Sequence, residues 1–198
     1  LFIERLEHHI ARARRGGAQI AVLFMDLDGF KLINDSLGHD VGDLLLKAVS
    51  DRLTSVLRES DTVARLGGDE FTAIVSDVDS EGQISTAARR VLAELTAPVV
   101  VNGQEVFVGA SIGIAVYPND GHDVRTLLRS ADMAMYRAKE LGRNNYQFYT
   151  PDMGDRVLAR MSLESSVRRA LDRKEFTVFY QPIIDLASGQ IRSLEALV

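Results

Sequence analysis

The chain has 198 residues, 46% hydrophobic and 26% charged, with a formal net charge of −5 and no cysteine. Such a composition suits a soluble folded segment with room for one core and part of a second, and it excludes disulfides and thiolate metal sites, so a metal would have to be held by oxygen. The acidic balance argues against a nucleic acid polymer as partner, and no apolar run or leader pattern points to membrane contact by this segment.

In chain order, residues 1–15 read as a helix ending near Gly16-Gly17, with Leu6, Ile10 and Ala13 on one face. The apolar run Ile20–Met25 reads as a buried strand closed by Asp26-Leu27-Asp28. Residues 28–31 enter a helix, and residues 44–57 carry the apolar spacing of an amphipathic one. Residues 62–66 and 71–76 pair as strands around Gly67-Gly68, and residues 81–97 form a helix that Pro98 stops. Strands follow at 99–101 and 105–117, joined through Asn102-Gly103. A helix over 124–141 and a strand over 146–149 complete the pattern. Helices interleaved with hairpins predict an α/β (α+β) fold around a largely antiparallel sheet. Residues 155–174 read as one connecting helix leading into a strand at 176–180.

Two places concentrate acid at strand ends: Asp26 and Asp28 after the first strand, and Asp69-Glu70 at the glycine-led hairpin tip. Carboxylates so placed are a common way to hold Mg²⁺ against nucleotide phosphates. Taken alone, the pentapeptide Gly67–Phe71 is as well explained as a turn, and Asp26 as a solvated strand end.

With them stand Gly29-Phe30-Lys31, Asn34-Asp35, Gly38-His39, Gly42-Asp43, Arg58 with Asp61, and the stretch from Ala131-Asp132 to Arg143-Asn144. This ordered set resembles a GGDEF domain, the catalytic module of diguanylate cyclases, over residues 1–150. The resemblance implies a central sheet like the palm of nucleotide cyclases and polymerases. It also implies a domain whose N-terminal edge is clipped before Leu1, because the family carries a further polar stretch there.

The implied activity is condensation of two GTP into cyclic di-GMP and two pyrophosphates across a homodimer, in the cytoplasm, with a parent protein that can be membrane-anchored. The resemblance makes Asp26, the carbonyl of Leu27 and Asp69 the ligands of two Mg²⁺ ions, with Mn²⁺ able to substitute. Asp69 is the first candidate for proton acceptor, and Glu70 the alternative. Asn34, His39 and Asp43 are placed around guanine, whose two N–H donors a carboxylate and an amide can meet, whereas adenine offers an acceptor there. Phe30 and Lys31 with Lys139 and Arg143 match positions at the phosphates, where backbone N–H groups of the helix entered at Gly29 also point. Arg58 and Asp61 resemble an inhibitory product site for cyclic di-GMP; the plain alternative is a surface ion pair. For Asn34 and His39 the plain alternatives are a helix cap and a surface histidine.

Residues 175–198 resemble the opening of an EAL phosphodiesterase domain, through Tyr180-Gln181-Pro182-Ile183 and Glu195-Ala196-Leu197. Glu195 would be a metal ligand in the parent protein, and the fragment itself is not expected to hydrolyse anything. Two rivals to the cyclase stand beside it: a silent GTP-sensing module that regulates an attached EAL domain, and a receptor binding cyclic di-GMP through the Arg58 site alone.

Overall fold

A computed structural model describes residues 1–198; the side chains of residues 156–158, 160, 161 and 164 lie outside the description. The chain divides into two compact units, Leu1–Met153 and Gly154–Val198.

The first unit is built on a five-stranded sheet in the order β2-β3-β1-β6-β7. Its centre is β1 (Gln19–Asp28), antiparallel to both neighbours, β3 (Glu70–Val78) and β6 (Gly109–Tyr117). The edges are β2 (Thr62–Gly67), antiparallel to β3, and β7 (Tyr146–Phe148), parallel to β6. The largely antiparallel α/β architecture expected from the sequence is therefore present.

Strand periodicity decides what lies on each side of the sheet. From β1, Ala21, Leu23, Met25 and Leu27 enter one core with α3 (His39–Val56) and α4 (Glu81–Thr96). Ile20, Val22 and Phe24 enter a second core with α1 (Phe2–Gly16) and α5 (Val124–Glu140). Each fully buried large side chain in these layers contributes roughly 1.5–3 kcal/mol. By the same alternation Asp26 and Asp28 emerge on the face covered by α5.

That helix starts at Asp123, whose carboxylate accepts from the Thr126 N–H at 2.9 Å, so the N-terminal turn is capped by side-chain chemistry. Its approach to the sheet depends on Gly113 of β6. A Cβ there would lie 1.9 Å from the Ala131 carbonyl oxygen and 2.1 Å from the Met135 nitrogen, both backbone atoms.

Three boundaries differ from the sequence reading. The single strand expected over 105–117 is two: β5 (Gln104–Val106) pairs with β4 (Val99–Val101) in a separate two-stranded sheet, and β6 begins at Gly109. The intervening Phe107 is exposed and Val108 buried, so the hydrophobic run continues while the sheet membership changes. Residues 30–37 form their own helix, α2 (Phe30–Leu37), and α3 begins at His39, five residues earlier than the apolar spacing indicated. Its first turn opens on exposed His39 and Asp40 and offers only Val41 and Gly42 to the core, which weakens the periodic signal.

In the second unit, α6 (Asp152–Asp172) runs from the boundary and β8 (Phe179–Ile184) pairs antiparallel with β9 (Ile191–Leu197), with Gln181 opposite Glu195. No helix among the described residues is long and apolar enough to cross a membrane.

Substituting Gly113→Ala should cost about 3 kcal/mol or more, at or beyond the upper end for overpacking, because the added methyl meets backbone and not a side chain that can rotate. Urea unfolding of the two proteins measures this; equal midpoints would show that α5 does not rest on the strand this closely.

Candidate active site

The acids of β1 and of the hairpin meet at the end of the sheet. Asp26 and Glu70 are direct partners in the β1–β3 ladder, so their side chains leave the same face. Between β2 and β3 the chain turns through Gly68 and Asp69; Gly68 takes φ 54°, and its carbonyl is held by Arg65 Nε at 2.8 Å. The N–H of Leu27 donates to the Asp69 carbonyl at 3.3 Å, which draws the tip against the end of β1. In extended backbone a residue's C=O faces the same edge as its N–H, so the Leu27 carbonyl also looks toward the tip.

On the facing helix, Lys139 Nζ sits 2.7 Å from Asp26 Oδ2, with the two side chains 28% and 14% exposed. Burial raises the Asp26 carboxyl above its ordinary value and Asp69 and Asp28 push it further, while Lys139 opposes the rise. Glu70 is raised by burial, then by Asp132, Asp26 and Asp69. Asp132, on α5, is raised by burial against the pull of Lys139, although its more open position screens the effect. Three acids, Asp26, Glu70 and Asp132, therefore share the ammonium group of Lys139.

The donors are hard oxygens carrying excess negative charge, and a cation already stands on one of them, so the set fits a hard divalent ion. Among the described residues no group of three or more His, Cys, Asp and Glu side chains is placed to hold a metal ion by itself. Two acids and one backbone carbonyl would need oxygens from a ligand to complete a shell.

A second group forms where α2 meets α3. Asn34 is wedged against Gly42: a Cβ at Gly42 would lie 1.9 Å from Asn34 Oδ1. That oxygen is buried and has no hydrogen-bond partner, a situation costing roughly 1–3 kcal/mol until a donor arrives or the amide turns. Asp43 is exposed one residue further along α3, and His39 is exposed at its start. The side chain of Phe30 is 7% exposed and belongs to the core, so only its backbone N–H, in the first turn of α2, faces outward chemistry. Lys31 is exposed in that turn.

Arg143 lies in a turn after α5, with φ 62°, between Gly142 (φ 107°) and Asn144 (φ 47°). Lys139 and Arg143 thus leave different local backbones, and Lys139 is engaged with Asp26.

Arg58 and Asp61 stand at the opposite end of β2 from the hairpin tip, about 20 Å away for six residues of strand. They do not form the ion pair that was the plain alternative. Asp61 accepts from the Arg58 N–H at 2.9 Å and from the Ser76 N–H at 3.1 Å, and Ser76 Oγ meets His9 Nδ1 at 3.0 Å. The Arg58 side chain instead lines a cleft of about 310 Å³ with Asp61, Gln83, Thr86 and Arg90. Sequence reading did not single out Arg90 and gave Asp28 and Asp132 no role of their own, although the helical spacing of Asp132 and Lys139, seven apart, puts both on one face.

The sequence pattern described as diguanylate cyclase, GGDEF domain, matches residues 1–145. The cyclic di-GMP phosphodiesterase NbdA of Pseudomonas aeruginosa is 42% identical over 197 residues, covering all of this chain and 25% of that protein. The bifunctional diguanylate cyclase/cyclic di-GMP phosphodiesterase MucR of the same organism is 41% identical over 198 residues, all of this chain and 29% of that one. The chain therefore spans little more than a quarter of these relatives. Among solved structures, the GGDEF domain of TpbB from P. aeruginosa superposes with a TM-score of 0.74 at 41% identity, covering 75% of this chain and 93% of that one.

Glu70→Gln should stabilise the fold at pH 7 by up to about 1 kcal/mol, because it removes a like charge from beside Asp26, Asp69 and Asp132. A carboxyl raised in the folded state loses stability as pH climbs past its unfolded value, so the gain should vanish at acid pH where Glu70 is protonated in both states. Urea unfolding at both pH values checks this; a variant less stable at pH 7 would mean that Glu70 has a favourable partner.

Proposed function

This chain belongs to the GGDEF family of diguanylate cyclase domains, and from that premise we propose that it condenses two molecules of GTP into cyclic di-GMP with release of two pyrophosphates. The observation that carries the reading is the meeting of Asp26 with Glu70 across β1 and β3, with Asp69 drawn in beside them. Nothing in the packing rewards such a cluster, and polyphosphate chemistry requires one.

In this reading Asp26, the Leu27 carbonyl and Asp69 would hold two Mg²⁺ ions, or Mn²⁺, which would supply charge neutralisation at the phosphates and a more acidic attacking hydroxyl. The ribose 3′-oxygen of one GTP forms a bond to the α-phosphorus of the other, the α–β bridging bond breaks, and pyrophosphate departs with the electron pair. The hydroxyl proton passes to Asp69, or alternatively to Glu70, whose raised basicity suits it to receive one. With a divalent ion on Asp26, Lys139 would be released to meet the phosphates together with Lys31, Arg143 and the first N–H groups of α2. Asn34 and Asp43 read guanine, the unpartnered Asn34 oxygen being one acceptor for its N–H groups, and His39 borders the base.

Each protomer holds one GTP, so turnover needs a homodimer that faces the two nucleotides. Product bound in the cleft of Arg58, Asp61 and Arg90 restrains that approach. Residues 1–150 form the cyclase domain, residues 151–174 connect, and residues 175–198 open an EAL domain in which Glu195 is a metal ligand. The whole protein works in the cytoplasm with a nucleotide partner and no nucleic acid polymer. The likeness to a phosphodiesterase and to a bifunctional protein, each over the full chain, supports the EAL reading. It also favours one second reading, a GTP-binding module that regulates an attached phosphodiesterase without turnover.

Incubation of the chain at high concentration with GTP and Mg²⁺ should yield cyclic di-GMP and pyrophosphate in a 1:2 ratio. Asp69→Ala should reduce turnover below detection while the fold persists by circular dichroism. GTP binding without product in the parent chain would select the regulatory reading. Gly42→Ala, whose methyl must expel the flexible Asn34 amide, should keep or gain up to about 1 kcal/mol of helix stability yet weaken GTP binding. Unchanged GTP affinity would remove Asn34 from the base site.

A further inference from the structure

Asp28 is an acid at the end of β1 to which the catalytic reading assigns no role, and both of its carboxylate oxygens are hydrogen-bonded. It leaves β1 on the α5 face, two residues beyond Asp26. Its Oδ1 accepts from Ser111 Oγ at 2.8 Å, from a fully buried residue of β6. Its Oδ2 accepts from the backbone N–H of Asn144 at 2.9 Å, across 116 residues of sequence.

Asn144 belongs to a strained turn. Arg143 and Asn144 are consecutive non-glycine residues at φ 62° and 47°, a left-handed conformation that such side chains hold only where the surroundings enforce it. The enforcement is visible. The Arg143 N–H donates to the Ala138 carbonyl at 3.1 Å. Asn145 Nδ2 donates to the Ala138 and Arg143 carbonyls at 2.8 and 2.9 Å, and the Asn145 carbonyl accepts from the Ile112 N–H at 3.0 Å. These bonds tie the turn to α5 and β6; among the described residues Asp28 alone ties it to β1, the strand that carries Asp26. Gly109 makes room for this, since a Cβ there would come 3.3 Å from both Asp28 Oδ2 and Asn144 Oδ1.

We infer that Asp28 is a positioning residue for the reaction, which through the Asn144 N–H fixes the origin of the Arg143 side chain relative to the acidic end of β1. The inference rests on the reading of Arg143 as a phosphate contact. A guanidinium recognises phosphate oxygens only along fixed donor directions, so a rigid backbone origin converts a flexible side chain into a directed one.

The test is a double-mutant cycle on binding of the α,β-methylene analogue of GTP in Mg²⁺ by calorimetry, using the full chain. Arg143→Ala should weaken binding about tenfold, the loss of one charge-assisted contact. Asp28→Ala should weaken it by a similar factor and add nothing in the Arg143→Ala background. Asp28→Asn should stay within about threefold of the parent, because its amide oxygen can still accept from Asn144 while its N–H donates to Ser111 Oγ. Additive losses, or parent-like affinity in Asp28→Ala, would overturn the inference while leaving the cyclase reading intact. Parent-like affinity in Arg143→Ala, or no binding by the parent chain, would overturn the phosphate reading and this inference with it. If Asp28→Ala does not fold, Gly109→Ala, which must spread Asp28 from Asn144, carries the same cycle with a smaller loss of about threefold, and additivity there is equally fatal.

Discussion

Like charges directly opposite one another on neighbouring strands repel, and a sheet normally avoids them. Here Asp26 faces Glu70 in the central ladder, Asp69 adjoins both, and Asp132 looks on from α5. The cost is borne by a fold whose two hydrophobic layers are otherwise complete, which leaves the end of the sheet free to carry unfavourable charge. Among the described residues Lys139 offsets it directly, through a 2.7 Å contact with Asp26. A region held together in spite of its own electrostatics is where added positive charge has the greatest effect.

The helix that carries Lys139 reaches the sheet because β6 presents a glycine at its centre. Gly113 lets the backbone of α5 lie against the strand, and this close approach brings Asp132 and Lys139 over the acids of β1 and β3. At the far end of the helix, the turn through Arg143 is returned to β1 by Asp28. Packing at Gly113 and hydrogen bonding at Asp28 thus fix the two ends of one arm, and the charged residues lie between them.

Much of this was legible in the chain. The unbroken apolar run from Ile20 to Met25 marked a buried strand, and Gly67-Gly68 marked the hairpin tip, because both signals are local; the central place of that strand and its two faces emerge only in the fold. Glu105–Tyr117 read as one strand since apolar character persists through Val108, and nothing local marks the change from one sheet to another. The weak periodicity of the first turn of α3 hid five of its residues. Pairing of Lys139 with Asp26, and of Asn144 with Asp28, joins residues more than a hundred positions apart; such contacts are set by topology. Asp61 shows a different limit: its spacing from Arg58 suggested a pair of side chains, whereas its carboxylate caps backbone N–H groups.

The central claim is that Asp26 and Asp69 act together on one set of cations. Its most direct measurement is electron paramagnetic resonance of Mn²⁺ bound to the chain with the α,β-methylene analogue of GTP. Asp26→Asn and Asp69→Asn should each weaken Mn²⁺ binding about a hundredfold or more, beyond the range seen when only outer partners of a metal are removed. Full Mn²⁺ affinity in either variant would contradict a shared site.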